Sequence, residues 1–279
     1  MLKKKIQQLL RRLGAYDRLR ESFAYDCYRR LRDGRPIRWR RRELVFYRSL
    51  FAAAPEGMLV FDVGAHRGQR TDVFLRLGAR VVAVEPDARN QGHLARRYRL
   101  GGRRAKPVAV VGKAASDDDA GGVLRVHEPG SGLNSLSEKW VLTLAGDPGR
   151  FAGTVRFPGS QRVETATLAT LVAAFGAPYY IKIDVEGHEP SVVRGLKEPV
   201  PFLSFEVNLP EFLSEGVECV EGLGRLCPAG RFNWAGELWR GLALAEWLDA
   251  PAFTAELRRC AEPSIEVFWR SGLGPAAHP

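Results

Sequence analysis

The sequence predicts an α/β fold: a mostly parallel sheet with helices on both faces. Three observations carry this. From residue 58 onward, short apolar runs alternate with helical stretches, the pattern of successive βαβ units. Two of those runs lead into Phe61-Asp62-Val63-Gly64-Ala65-His66-Arg67-Gly68-Gln69 and Ile181-Lys182-Ile183-Asp184-Val185-Glu186-Gly187-His188-Glu189. Glycines and charged residues at a strand's end are what a parallel sheet places around its binding crevice. Finally, 45% hydrophobic residues in a 279-residue chain suffice for a packed core, while no apolar run approaches the roughly 20 residues that span a bilayer.

The N-terminal arm comes first. Residues 1–42 hold fifteen Lys/Arg against four acids, a net of +11, whereas the other 27 basic and 28 acidic residues nearly cancel. Leu2, Ile6, Leu9, Leu10 and Leu13, then Leu19, Phe23, Cys27 and Leu31 beyond Gly14, have helical spacing and predict two amphipathic helices. We read 1–50 as a basic helical arm and 51–279 as the body. The arm's cations fit a solvated outer face, a dimer contact or peripheral contact with an anionic membrane surface. Nucleic acid fits less well, because no aromatic-basic sheet motif or zinc finger accompanies the charge.

In the body, strands are expected at 58–63 and 81–85, helices at 69–77 and 87–99, and a third strand over 107–115. Residues 116–165, rich in Gly, Ser and Asp, read as an irregular insertion over the crevice, with strands at 123–127 and 163–167. A helix over 168–175, a strand over 179–184, a helix over 190–196 and a strand over 202–207 follow. Pro190 suits a first helical turn, where its missing N–H needs no partner. The tail, 209–279, reads as a substrate-side region, partly helical around Trp234, Trp239 and Trp247, with a closing strand over 265–269. Cys27, Cys219, Cys227 and Cys260 form no C-x-x-C pair, and no apolar segment of secretory type follows the basic N-terminus. Reduced thiols in a cytoplasmic protein are expected.

Gly64 and Gly68 fall where a strand turns into a helix, and glycine there lets the backbone approach a ligand and adopt positive φ. The helix start adds free N–H groups and partial positive charge. Glu85, seventeen residues after Gly68 and at the next strand's end, is placed to accept hydrogen bonds from two ribose hydroxyls. A dinucleotide fingerprint needs G-x-G-x-x-G, but positions 64, 66 and 69 are Gly, His and Gln, so close approach to a pyrophosphate is lost. Asp62 suits a cofactor with a free amino group. S-adenosylmethionine has that group and no pyrophosphate.

Alternation along the second strand puts Lys182 and Asp184 on one face and Ile181 and Ile183 on the other. Asp184 and Glu186 then lie at its carboxyl end, His188 in the turn and Glu206 at the end of the next strand. These are the candidate catalytic groups, since methyl transfer to oxygen needs positioning and removal of a hydroxyl proton. Lys182 and Asp184 also suit a simple buried pair, and His188 a helix cap. Clustered carboxylates could hold magnesium or calcium, but no dedicated ligand spacing is present and no metal is expected.

Asp62-Val63-Gly64-Ala65-His66-Arg67-Gly68, Glu85-Pro86-Asp87, Asn134-Ser135-Leu136, Thr167-Leu168, Lys182-Ile183-Asp184-Val185-Glu186-Gly187-His188-Glu189 and Phe205-Glu206-Val207 together resemble the FkbM family of S-adenosylmethionine-dependent methyltransferases. The resemblance covers roughly 58–208. It implies a Rossmann-like class I methyltransferase fold of seven strands, the last antiparallel, and methyl transfer to a hydroxyl on a sugar, glycan or secondary metabolite. It implies cofactor contacts from Asp62, Gly64, Ala65, His66, Gly68 and Glu85, with the Asp184–His188 segment facing the acceptor. The family usually has Asn at the position of His66, and Asp after Thr-Leu where this chain has Ala169, which removes a helix cap or acceptor-side contact. The basic arm motivates one alternative, a nucleic-acid methyltransferase. The two departures motivate another, a non-catalytic cofactor-binding scaffold in a membrane-linked glycan assembly complex.

Overall fold

A computed structural model describes residues 35–99, 108–146 and 155–273; the two helices expected within 2–31 lie outside them. The first described element is α1 (Arg35–Leu50), followed by β1 (Leu59–Val63), α2 (Gln69–Arg76), β2 (Arg80–Val84), α3 (Ala88–Arg99) and β3 (Val108–Val111). The middle of the chain forms β4 (Ala114–Ser116), β5 (Gly122–Val126), α4 (Glu138–Gly146), β6 (Gly159–Val163), β7 (Thr165–Thr167) and α5 (Leu168–Phe175). The last part forms β8 (Tyr180–Ile183), α6 (Glu189–Arg194), β9 (Phe202–Asn208), α7 (Leu213–Leu226), β10 (Arg231–Ala235), α8 (Ala250–Leu257) and β11 (Ser264–Arg270).

Seven strands make one sheet in the order β3-β2-β1-β8-β9-β11-β10. β11 runs antiparallel to both neighbours, and the other pairings are parallel. This strand order is that of the class I methyltransferase fold. Strand order reverses between β1 and β8, which opens a crevice beyond their carboxyl ends.

Strands buried on both faces explain the near-continuous apolar runs. Leu59, Phe61, Val63, Ile181, Ile183, Leu203 and Phe205 pack against one set of helices through Leu171, Val192, Val220 and Phe253. Val60, Val81, Tyr180 and Phe268 pack on the other face against Phe46 and Tyr47 of α1 and Val73 and Phe74 of α2. The Tyr47 ring lies 5.3 Å from Phe74 and 5.9 Å from Tyr180. The end of the basic arm is therefore built into the body. On this second face the strands also carry polar groups: Asp62 opposite Lys182, Lys182 opposite Ser204, and Glu206 opposite Glu266.

The expected strands over 107–115 and 163–167 are each two strands. The breaks at Lys113 and Glu164 face each other, joined by an Ala114 N–H to Glu164 carbonyl bond of 2.9 Å and a 3.0 Å ion pair. Beyond the break β4 pairs with β7, and β5 and β6 form an antiparallel ribbon, so 116–165 is more ordered than its composition suggests. The tail also corrects the sequence reading. The three indoles singled out there lie on β10 (Trp234), on a 3-10 turn at Leu238–Arg240 (Trp239) and in irregular chain (Trp247), while the α-helices are α7 and α8.

Candidate active site

Two cavities open at the carboxyl end of the sheet and share one wall, Asp184. The first is bounded by Gly64, His66 and Glu85 on one side and Asp184, Glu186 and His188 on the other, with Ala115 and Leu124 as an apolar wall. At Gly64 φ is 80°, and a Cβ would lie 1.8 Å from the Asp184 carbonyl oxygen. The ends of β1 and β8 thus meet backbone to backbone, and only glycine fits. Gly68 (φ 78°) begins α2, where a Cβ would stand 2.3 Å from the Tyr98 hydroxyl.

Glu85 organises the next strand end. One carboxylate oxygen accepts the His66 N–H at 2.7 Å; the other accepts the Asp87 N–H at 2.9 Å and the Asn90 side-chain amide at 3.4 Å. Burial outweighs these donors and pushes its carboxyl up to about 7. His66 has φ 48° and its Nε2 lies 3.0 Å from the Gly130 carbonyl; burial keeps the ring below the usual imidazole range, hence neutral. Asp87 accepts from the Gly130 N–H at 3.0 Å and the Asn134 amide at 2.9 Å, which pins the 128–136 loop over the cavity. Asp87 and Asn134 were present in the family motifs without an assigned role, and Asn90 carried no sequence signal.

Asp62 does not line this cavity. It is buried on the α1/α2 face of the sheet, accepting the Thr71 hydroxyl at 2.5 Å, and burial raises its carboxyl. Ala65 and Gly68 shape the turn without lining the cavity; the Ala65 N–H donates to the Val84 carbonyl at 3.1 Å.

The second cavity lies on the face of the sheet covered by α1 and α2. Lys182, Asp184, Glu206 and Glu266 form its floor, with Glu43 and Arg70 from α1 and α2 and Glu237 and Trp239 from the 3-10 region around it. Lys182 Nζ donates to Asp184 at 2.8 Å. Burial alone would lower the lysine, but Asp184 and Glu266 outweigh it and hold it above its ordinary range. Asp184 is held low by Lys182 against the effect of burial. Glu186 is pushed well up by burial and by the charges of Asp184 and Glu206, and Glu206 is raised by burial and Asp184. Oxygens of these three carboxylates lie within 4.8 Å of one another. The expected convergence is thus formed, with Lys182 and Glu206 facing the second cavity, Glu186 and His188 the first, and Asp184 both.

His188 precedes α6 but its side chain makes no cap bond; Nε2 lies 3.2 Å from the Ser116 hydroxyl. The oxygen of Glu189 accepts the Val185 N–H at 3.0 Å instead, and burial pushes that carboxyl up to about 8. Ser135 fixes the carboxylate-bearing turn by donating to the Glu186 carbonyl at 2.8 Å. At Ala169 the lost acid is replaced in space. Thr167 caps α5 through the Thr170 N–H, and Asp119 accepts both the Thr167 N–H and the Thr170 hydroxyl at 2.9 Å.

A switch-point cleft with a glycine turn, a carboxylate at the end of the next strand and no dinucleotide fingerprint fits a class I transferase that uses a nucleoside cofactor. The sequence profile of the Methyltransferase FkbM domain matches residues 62–217, more than half of the chain. The chain belongs to the FkbM methyltransferase family, and its cofactor is S-adenosylmethionine. No curated protein matches it significantly. Solved structures similar to it include a precorrin-6y C5,15-methyltransferase from Geobacter metallireducens (TM-score 0.39, 13% identity, 83% of this chain and 86% of that one). A TehB-like SAM-dependent methyltransferase from Corynebacterium glutamicum has TM-score 0.41 and 8% identity over 82% and 87% of the two chains. The plantazolicin methyltransferase BpumL, solved with a substrate analog and SAH, has TM-score 0.39 and 10% identity over 98% and 100%. At these levels the family match and the strand order, and not the neighbours, carry the assignment.

Proposed function

We propose that the protein transfers methyl to a hydroxyl of a sugar, glycan or hydroxylated secondary metabolite. One observation carries the reading: Asp184 stands on the wall between the nucleoside-type cleft and an acid-lined cavity. S-adenosylmethionine, when bound, supplies a sulfonium-activated methyl group. Gly64, His66 and Glu85 would hold it, and the apolar wall at Ala115 and Leu124 suits its base.

The rest of the work falls to the second cavity. Asp184, kept ionised by Lys182, accepts a hydrogen bond from the acceptor hydroxyl and orients it. Glu206, raised to about 7 by burial and Asp184, is a stronger base than an ordinary carboxylate once ionised, so the hydroxyl proton passes to it. The cavity's carboxylates also disfavour a phosphodiester acceptor, which argues against the nucleic-acid alternative. No metal is required in this reading, because Lys182 neutralises Asp184 and a retained proton relieves the repulsion among the other two.

The test is transfer from labelled cofactor to a panel of sugars, glycans and hydroxylated metabolites, with the methyl located by NMR. A methyl ether on oxygen is expected. A methyl on carbon or nitrogen refutes the reading, and intact cofactor binding with no transfer to any hydroxyl would favour the scaffold.

A further inference from the structure

The net charge of this chain sits in its first 42 residues, and α1 shows where that charge meets the folded body. A helix buries one stripe and exposes the opposite one. In α1, Phe46 and Tyr47 point inward and Glu43 pairs with the half-buried Arg70. Arg41, Arg42, Val45 and Arg48 are left on the outer face, all exposed, with Val45 66% accessible.

The 3-10 turn at Leu238–Arg240 packs alongside α1 and extends this face. Trp239 is 43% exposed, and the guanidinium groups of Arg42 and Arg240 lie over its ring at 4.8 and 5.1 Å from the centroid. The result is an arginine-rich surface with an indole and a valine set among the cations. Residues 1–34, which lead directly into α1, add ten Lys/Arg and four acids.

We infer that this face docks on a bilayer containing anionic lipids. Arginines near such a surface each contribute about 1 kcal/mol, and tryptophan is a side chain that settles at the headgroup level. An exposed valine between arginines gains from that interface but not from water. Single-stranded RNA is the weaker match, since base stacking needs a free aromatic face and guanidinium groups already lie over the Trp239 ring. Trp239 also forms part of the rim of the acid-lined cavity, so a protein docked this way presents that cavity to the membrane. The inference does not depend on the acceptor proposed above.

The experiment is co-sedimentation of the full chain with vesicles of phosphatidylcholine, alone or with one-third phosphatidylglycerol, at physiological salt. Binding is expected only to the anionic vesicles. The triple substitution Arg41→Ala, Arg48→Ala, Arg240→Ala should weaken partitioning roughly fivefold per residue, on the order of a hundredfold together. Its melting temperature and cofactor affinity should stay at wild-type values, because none of the three lines either cavity. Lysine at the same three positions should restore binding, and Trp239→Ala should weaken it. The inference is overturned if the alanine triple binds as tightly as wild type, which would leave the attraction to the arm alone. It is equally overturned if anionic vesicles are not bound, or if mixed-sequence RNA is bound with that sensitivity while vesicles are not.

Discussion

Glu85→Gln is the substitution on which the cofactor site depends most directly. In the wild type the carboxylate already accepts from the His66 and Asp87 N–H groups and from Asn90. The oxygen that accepts only the His66 N–H keeps one lone pair free for a ribose hydroxyl. Glutamine keeps the volume and one acceptor oxygen but removes the charge and turns an N–H₂ toward one of the two backbone donors. Losing charged hydrogen bonds costs about 1.5–3 kcal/mol, so affinity for S-adenosylhomocysteine should fall roughly 10- to 150-fold. A pH signature accompanies this. Burial has raised the free carboxyl to about 7, whereas hydroxyl donors favour the ionised form. Binding should therefore weaken as pH falls below about 7, by up to tenfold per pH unit, and the glutamine variant should lose that dependence. His66 is held neutral by burial and does not supply the same signature. Calorimetry at pH 8 and pH 6 on both proteins gives all four affinities. A folded Glu85→Gln protein that binds as wild type does, or a wild-type affinity equal at the two pH values, refutes the ribose assignment.

Gly64→Ala should cost more than roughly 3 kcal/mol, from positive-φ strain and a Cβ driven into the Asp184 carbonyl; a denaturation midpoint near wild type would contradict the close contact of β1 and β8. Glu189, raised to about 8 by burial, binds its proton more tightly folded than unfolded. Its contribution is thus fully present below about pH 4.3 and lost as pH rises toward 8, at up to about 1.4 kcal/mol per pH unit. Glu189→Gln should flatten this part of the stability profile measured by urea unfolding, and an unchanged slope would refute the burial argument. Glu206→Gln should lower kcat by roughly 10²–10⁴ if Glu206 is the base, with cofactor affinity unchanged because it does not line the first cavity. EDTA should leave turnover of the wild type intact; a rate abolished by EDTA and restored by magnesium would assign the three carboxylates to a cation instead.

How far the sequence could be read depended on how local the determining physics is. The turn at Gly64 and the carboxylates after Ile183 were legible because strand alternation and glycine backbone freedom act over a few residues. Asp62 shows the limit. Its position suggested an amino-group contact, but alternation places it on the α1/α2 face, where Thr71 one helical turn into α2 takes its oxygen. The Asp119 that accompanies Thr167 and Thr170 comes from 48 residues upstream, and no local pattern links them. The strand at 231–235 was missed because Trp234 was grouped with Trp239 and Trp247 in a stretch expected to be partly helical. Only pairing with Ile265–Trp269, itself expected, defines it.

The sheet order gives these separate observations one geometry. Parallel β1, β2, β8 and β9 all end at the same edge, so Gly64, Glu85, Asp184 and Glu206 are brought together by topology whatever the loops contain. Antiparallel β11 then adds Glu266 opposite Glu206, and Ser204 donates to it at 2.6 Å. Carboxylates accumulate at one end of a buried face, where among the described residues lining the cavity only Lys182 and Arg70 answer them. The raised Glu186 and Glu206 follow from burial first and from that imbalance second. Removing Lys182 should therefore raise Asp184 as well, converting an ionised orienting group into one that competes for the same proton.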